Sequence, residues 1–178
     1  DAQESRGLGD VYKRQEQEIN NEIKSQPVTT TEIIREVSDI LFQGVYTDDS
    51  IRPDNSGHYT FKFDRFLDAN NYGTNRNKIS LKVYTQMSGI TTEEIIIQNG
   101  GGNEVAVVFA SNEEFRDEMK SALQILSFLR SSSKDKYPKF AELENSINNQ
   151  LKDHRNRASA HIKAVSYTHL RAHETPEH

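Results

Sequence analysis

Cysteine is absent from this 178-residue chain. That excludes a disulfide framework, a thiolate metal site and a cysteine nucleophile, and it suits a reducing compartment. Long apolar runs are missing too: no stretch approaches the roughly 18 residues of a membrane span, and no secretory apolar segment precedes the first helix. Nor is there a surplus of positive charge. With 22 Lys+Arg against 27 Asp+Glu and a net charge of -5, broad electrostatic capture of nucleic acid or of an anionic membrane is disfavoured. These absences predict a soluble, cytoplasmic protein, and the abundant Asn, Ile and Lys suggest an A+T-rich genome such as those of many bacteria and phages.

The two ends share a signal at the level of DNA. Ser5-Arg6-Gly7-Leu8-Gly9-Asp10-Val11-Tyr12-Lys13-Arg14-Gln15 can be back-translated to a string whose reverse complement, read two bases in, encodes Val165-Ser166-Tyr167-Thr168-His169-Leu170-Arg171-Ala172-His173-Glu174. The string resembles the mosaic end and index primer of a transposase-based sequencing library. The resemblance implies that residues 1–15 and 165–178 are adapter-derived and that residues 16–164 form a single domain cut from a longer gene. Val11, Tyr12, Val165 and Leu170 should then add little to the core. Without these flanks 18 Lys+Arg remain against 22 Asp+Glu, still mildly acidic. His169 and His173, although spaced i, i+4 as zinc ligands on a helix are, together with His178 fall in the adapter-like tail, so no metal is expected there. Gly7-Leu8-Gly9 has neither the preceding strand nor the following Lys-Ser or Lys-Thr of a phosphate loop.

Residues 16–26 carry Ile19 and Ile23 as their only apolar positions and read as the polar end of an interrupted helix. After Pro27, Thr29 and Glu32 fit a capping box, and Ile33, Ile34, Val37, Ile40 and Leu41 make one stripe of a 3.6-residue period, with Gly44 placed to stop the helix. Past a turn-rich stretch from Asp48 to Gly57, the period changes to 2. Tyr59, Phe61 and Phe63 mark one strand and Ile79, Leu81 and Val83 another, with a loop over 68–77 between them. Ile95 to Gln98 and Val105 to Ala110 read as two more strands joined by a hairpin loop through Asn99-Gly100-Gly101-Gly102-Asn103. Ser111 and Glu114 fit a second capping box, ahead of a helix striped by Phe115, Met119, Ala122, Leu126 and Leu129. A polar break over 131–136 and Pro138 introduce a last helix marked by Phe140, Leu143, Ile147, Leu151 and Ala158. The expected fold class is α+β: an antiparallel meander of about four strands packed by amphipathic helices, one N-terminal and two C-terminal.

Few residues invite a chemical role. The glycines at 100–102 lead from strand to strand without a Lys, which favours a plain turn over a phosphate cradle. Asp48, Asp49, Asp54, Asp64 and Asp68 lie in or near loops, but their spacing does not match a calcium loop; a loop-bound divalent metal would raise the melting temperature when calcium or magnesium is added. Glu93 and Glu94 precede a predicted strand, while Glu113 and Glu114 open a helix and suit its dipole. His58 sits at a strand start and reads as structural. No Ser-His-Asp set is visible.

The stretch richest in chemistry is His154-Arg155-Asn156-Arg157-Ala158-Ser159-Ala160-His161. Its simplest reading is a solvated or half-buried basic face made by His154, Arg157 and His161 at i, i+3, i+7, which could also contact an acidic partner. Arg155-Asn156 followed by His161, with five residues between Arg and His, resembles the R-x(4–6)-H signature of HEPN-type ribonucleases. That resemblance implies a metal-independent ribonuclease in which Arg155, Asn156 and His161 act on a phosphodiester at a dimer interface, with RNA as partner. The leading expectation is a noncatalytic binding or scaffold module of a larger microbial or phage protein, without cofactor or metal and with a protein as the possible partner.

Overall fold

A computed structural model describes residues 2–47, 62–73, 77, 79–99, 102–109 and 114–174, in two units. The first comprises residues 1–29 and 116–158. Its leading element, α1 (Ala2–Ser25), is one uninterrupted helix, in which Ile19 and Ile23 sit one turn apart and are buried. They pack with Ala122, Ile125 and Phe128 of α4 (Glu114–Arg130) and with Phe140, Ile147 and Leu151 of α5 (Phe140–Glu174). The Phe128 ring anchors the cluster, with centroids 5.9 Å from Phe140 and 6.5 Å from Tyr137. α4 buries Phe115, Met119 and Ala122 of the expected stripe, but its second half shifts by one residue: Ile125 and Phe128 are buried, while Leu126 and Leu129 are only partly so.

The end of α1 leaves carbonyls without helical partners. Gln124 of α4 supplies them, its amide nitrogen lying 3.0 Å from the Lys24 carbonyl and 3.2 Å from that of Gln26. Ser131 caps a short 3-10 turn over 132–136 that replaces the expected loop. Val11 is exposed, and Tyr12 is half-buried with the Lys139 ammonium 4.2 Å from its ring centroid.

The second unit comprises residues 30–115 and 159–178. Here α2 (Thr30–Ile40) begins directly after Thr29 and buries Ile33 and Val37 from the expected stripe. It runs into a wider π-type turn over 41–45, closed by the Tyr46 N–H on the Leu41 carbonyl at 2.7 Å, so Gly44 lies inside the terminating turn. Among the described residues four strands follow, in the order β2-β1-β3-β4: β1 (Phe63–Leu67), β2 (Asn70–Tyr72), β3 (Ile79–Tyr84) and β4 (Glu104–Val108). Phe63, Leu67, Leu81 and Val83 share one face and are buried. The opposite face, carrying Asp64, Phe66, Ser80, Lys82, Tyr84 and Glu104, is more polar.

The sheet is mixed, which corrects the antiparallel meander. β1 pairs with β3 and β3 with β4 in parallel, and only β2 is antiparallel to its neighbour β1. Two local features cause the difference. Asp68 and Ala69 both take positive φ (47° and 65°), forming a two-residue hairpin turn that makes β2 where a loop was expected. Asn70 supports the turn, its amide donating to the carbonyls of Leu67 and Asp68. Residues 92–98, read as containing a strand, form helix α3 (Thr92–Gln98), and this helix provides the crossover that parallel β3 and β4 require. The predicted hairpin through residues 99–103 is therefore replaced by a helix-to-strand connection; Gly100 and Gly101 lie outside the described residues.

Tyr59, Phe61, Ser111 and Glu113 also lie outside the described residues; Lys62 is described and not in a strand, and β1 begins at Phe63, where the predicted strand was to end. α5 places Ile162 and Ser166 in the core of the second unit, and the Ser166 hydroxyl donates to the Ile162 carbonyl at 2.7 Å. Val165 is half-buried, and the side chain of Leu170 lies outside the described residues. No helix among the described residues is long and apolar enough to cross a membrane.

Candidate functional site

Arg155, Asn156 and His161 all lie on α5. At about 100° per residue, Asn156 and His161 are turned by roughly 100° and 120° in opposite directions from Arg155, so the three point to three sides of the helix. Arg155 and Asn156 are exposed, and the half-buried His161 holds its Nδ1 3.2 Å from Glu114 Oε2.

The first unit organises the other histidine. Glu118 of α4 bonds through one carboxylate oxygen to His154 Nδ1 and through the other to Arg157 Nε at 3.0 Å, while Arg157 Nη2 lies 3.1 Å from His154 Nδ1. A single carboxylate thus ties the two α5 side chains. The basic face read from the sequence therefore carries a carboxylate bonded to both His154 and Arg157. Glu118 was missed because it lies 36 residues from His154 and belongs to no local motif. Partial desolvation pushes its pKa up, but the bonds from His154 and Arg157 outweigh that and hold the carboxyl below the usual value.

A depressed carboxyl pKa contributes stability that is present above the unfolded-state pKa and lost as pH falls through the folded one. Glu118→Gln is therefore expected to lower stability by about 0.5–1 kcal/mol at neutral pH, solvent screening keeping the figure small. The deficit should shrink in acid. Urea melts of both proteins at neutral and acidic pH check this, and a deficit that grows on acidification would refute the role assigned to Glu118.

The loop acids have partners of their own. Asp64 is buried and its Oδ1 accepts from the backbone N–H and side-chain amide of Asn77 at 3.2 and 2.9 Å. Asp68 is buried and accepts from the Thr85 N–H at 2.6 Å and from the Thr85 hydroxyl. Desolvation raises its pKa despite these bonds. Asp48, Asp49, Asp54 and His58 lie outside the described residues. Among the described residues no group of three or more His, Cys, Asp or Glu side chains could hold a metal ion.

Glu94 completes a capping box with Thr91, whose N–H and hydroxyl hold its pKa down, so the Glu93-Glu94 pair opens α3 rather than a strand. In the first unit, Glu22 accepts from the Tyr137 hydroxyl and lies 3.4 Å from Lys136 Nζ. The bond to Glu22 pushes the Tyr137 phenol up to about 12. These contacts also join distant segments and left no motif to read.

The polar face of the sheet bears a cavity of about 290 Å³ lined by Phe66, Ala69, Ser80, Lys82, Tyr84, Gln98 and Glu104. Lys82 Nζ lies 2.7 Å from Glu104 Oε1 and 5.9 Å from the Phe66 ring centroid. The Tyr84 hydroxyl at the cavity receives the Asn99 side-chain amide at 3.2 Å. With its one cation and one anion paired, the cavity presents a neutral lining of aromatic, amide and hydroxyl groups. Such a lining suits an uncharged guest better than a phosphate or a free cation.

No solved structure matches this chain. A family model does, over residues 26–166, and its description is the fourth domain of the BREX ATP-binding protein BrxC, with a six-stranded β-sheet. Four paired strands of a sheet are present among the described residues. The matched span holds α2 through α4, all four strands and most of α5, and on this match the chain belongs to the BrxC fourth-domain family.

Proposed function

We propose that this chain is a noncatalytic binding or scaffold module within a BREX ATP-binding protein. The family match over residues 26–166 carries the reading, since the family is described as one domain of a larger ATP-binding chain. The side-chain chemistry supports it: Glu118, His154 and Arg157 are spent on one another, Asp68 on Thr85, and Glu22 on Tyr137. Arg155, Asn156 and His161 do not share a helix face. The chain's role in the parent protein is then to hold a surface in place rather than to transform a substrate.

The test is an incubation of the full-length parent protein with total RNA in the presence of chelator, beside its Arg155→Ala and His161→Ala variants. No cleavage is the expected result from all three. Metal-independent cleavage by the parent that both substitutions abolish would overturn the noncatalytic reading.

We also read residues 1–15 and 165–178 as translated adapter, on the strength of the shared DNA string. Residues 1–25 lie outside the matched span, which accords with the N-terminal boundary, whereas Ser166, buried at the other end of the match, weighs against the C-terminal one. An uninterrupted gene from an independent source carrying both flanking peptides would refute this.

A further inference from the structure

α3 presents an outer face that no described residue of its own unit covers. Of its three consecutive isoleucines only Ile95 is buried; Ile96 is 68% exposed and Ile97 79% exposed. β-Branched residues weaken a helix, and exposed ones gain nothing from burial, so a seven-residue helix needing only solubility would favour Glu, Lys or Gln at those positions. Glu93, also exposed, stands three and four residues before Ile96 and Ile97 and therefore rims the same face. The nearby Glu94 is occupied by Thr91.

We infer that the Glu93–Ile96–Ile97 face of α3 docks a segment of the parent polypeptide outside this domain, one that offers an apolar anchor to the isoleucines and a Lys or Arg to Glu93. The inference rests on the scaffold reading above, because a domain that is one among several in a chain has neighbouring polypeptide at high effective concentration. The chemistry of the occupant follows from the face: two large apolar side chains call for an apolar anchor, and a lone rim carboxylate selects a basic neighbour and disfavours nucleic acid.

Hydrogen exchange of the isolated chain and of the full-length parent protein tests this. The amides of residues 93–98 are expected to exchange about tenfold or more slowly in the parent. Ile97→Asp should abolish that extra protection and Glu93→Lys should reduce it. Both positions are exposed, so the melting temperature of the isolated chain should fall by no more than a few degrees, the helix-end charges being worth under about 1 kcal/mol each, which separates lost docking from lost folding. Protection in the parent at other surfaces of the domain but not at α3 overturns the inference and leaves the scaffold reading standing; protection nowhere overturns both. Concentration-dependent dimerisation of the isolated chain that Ile97→Asp abolishes would replace the named occupant with a second copy, and so also overturns the inference.

Discussion

Phe128→Ala is expected to destabilise the first unit by about 3–5 kcal/mol, the range for removing a fully buried aromatic ring from a core that cannot close around the gap. Phe128 is completely buried and meets the rings of Phe140 and Tyr137, while Ile19, Ile23, Ala122 and Ile125 belong to the same cluster. The ring therefore links α1, α4 and the start of α5. Urea unfolding followed by circular dichroism should show a lower midpoint with an unchanged slope, provided the native state keeps its compactness. Leu126→Ala and Leu129→Ala make the comparison sharper. Both leucines lie on the stripe expected from sequence but are only partly buried, so each should cost clearly less than Phe128. A larger loss at either leucine would mean that α4 is rotated from its position here.

The one-residue shift in the second half of α4 shows where pattern reading loses precision. The 3.6-residue period identified α4 and α5 as helices because apolar residues recur on one side, but Ile125-Leu126 and Phe128-Leu129 offer two adjacent phases. Only the partners on α1 and α5 choose between them. The strands posed a different problem. Ile95-Ile96-Ile97 has strand propensity, yet Thr91 and Glu94 form the same Ser/Thr-x-x-Glu box that marked the other helices, and the cap prevails in the structure. Taking that box at its word would have supplied a crossover helix between β3 and β4, and with it the parallel pairing. The turn at Asp68-Ala69 carried less warning, since hairpin turns with two positive φ values usually announce themselves with Asn-Gly or Asp-Gly.

The polar sites were less legible than the elements, for a simple reason. Motif reading sees residues that are close in sequence, and it drew attention to Arg155, Asn156 and His161, which diverge around one helix. The associations that form join Glu118 to His154 and Glu22 to Tyr137, across 36 and 115 residues. No spacing rule links such pairs, because they depend on how helices pack. The exposed isoleucines of α3 were misread on similar grounds: as part of a strand they would have alternated between two faces, whereas on a helix Ile96 and Ile97 stand together on the uncovered side.

Asp68→Ala is expected to cost about 2–3 kcal/mol, because it removes the acceptor for both the N–H and the hydroxyl of Thr85 at a buried site. It also places alanine at φ 47°, a conformation that aspartate and asparagine tolerate better. Asp68→Asn should behave differently. Its carbonyl can accept from the Thr85 N–H and its amide can donate to Thr85 Oγ1, while no charge has to be held out of water. The sign of the pH effect follows from burial. A carboxyl whose folded pKa is raised contributes stability that is fully present below its unfolded pKa and lost as pH rises through the folded value. The wild-type chain should therefore lose stability relative to Asp68→Asn as pH climbs from the ordinary aspartate range toward neutrality, with Asp68→Ala the least stable of the three throughout. Urea melts of all three proteins between pH 4 and pH 8 measure this. A difference between wild type and Asp68→Asn that stays flat, or that moves in the wild type's favour as pH rises, would show that desolvation does not dominate at the β1–β2 turn and that the bonds from Thr85 outweigh it.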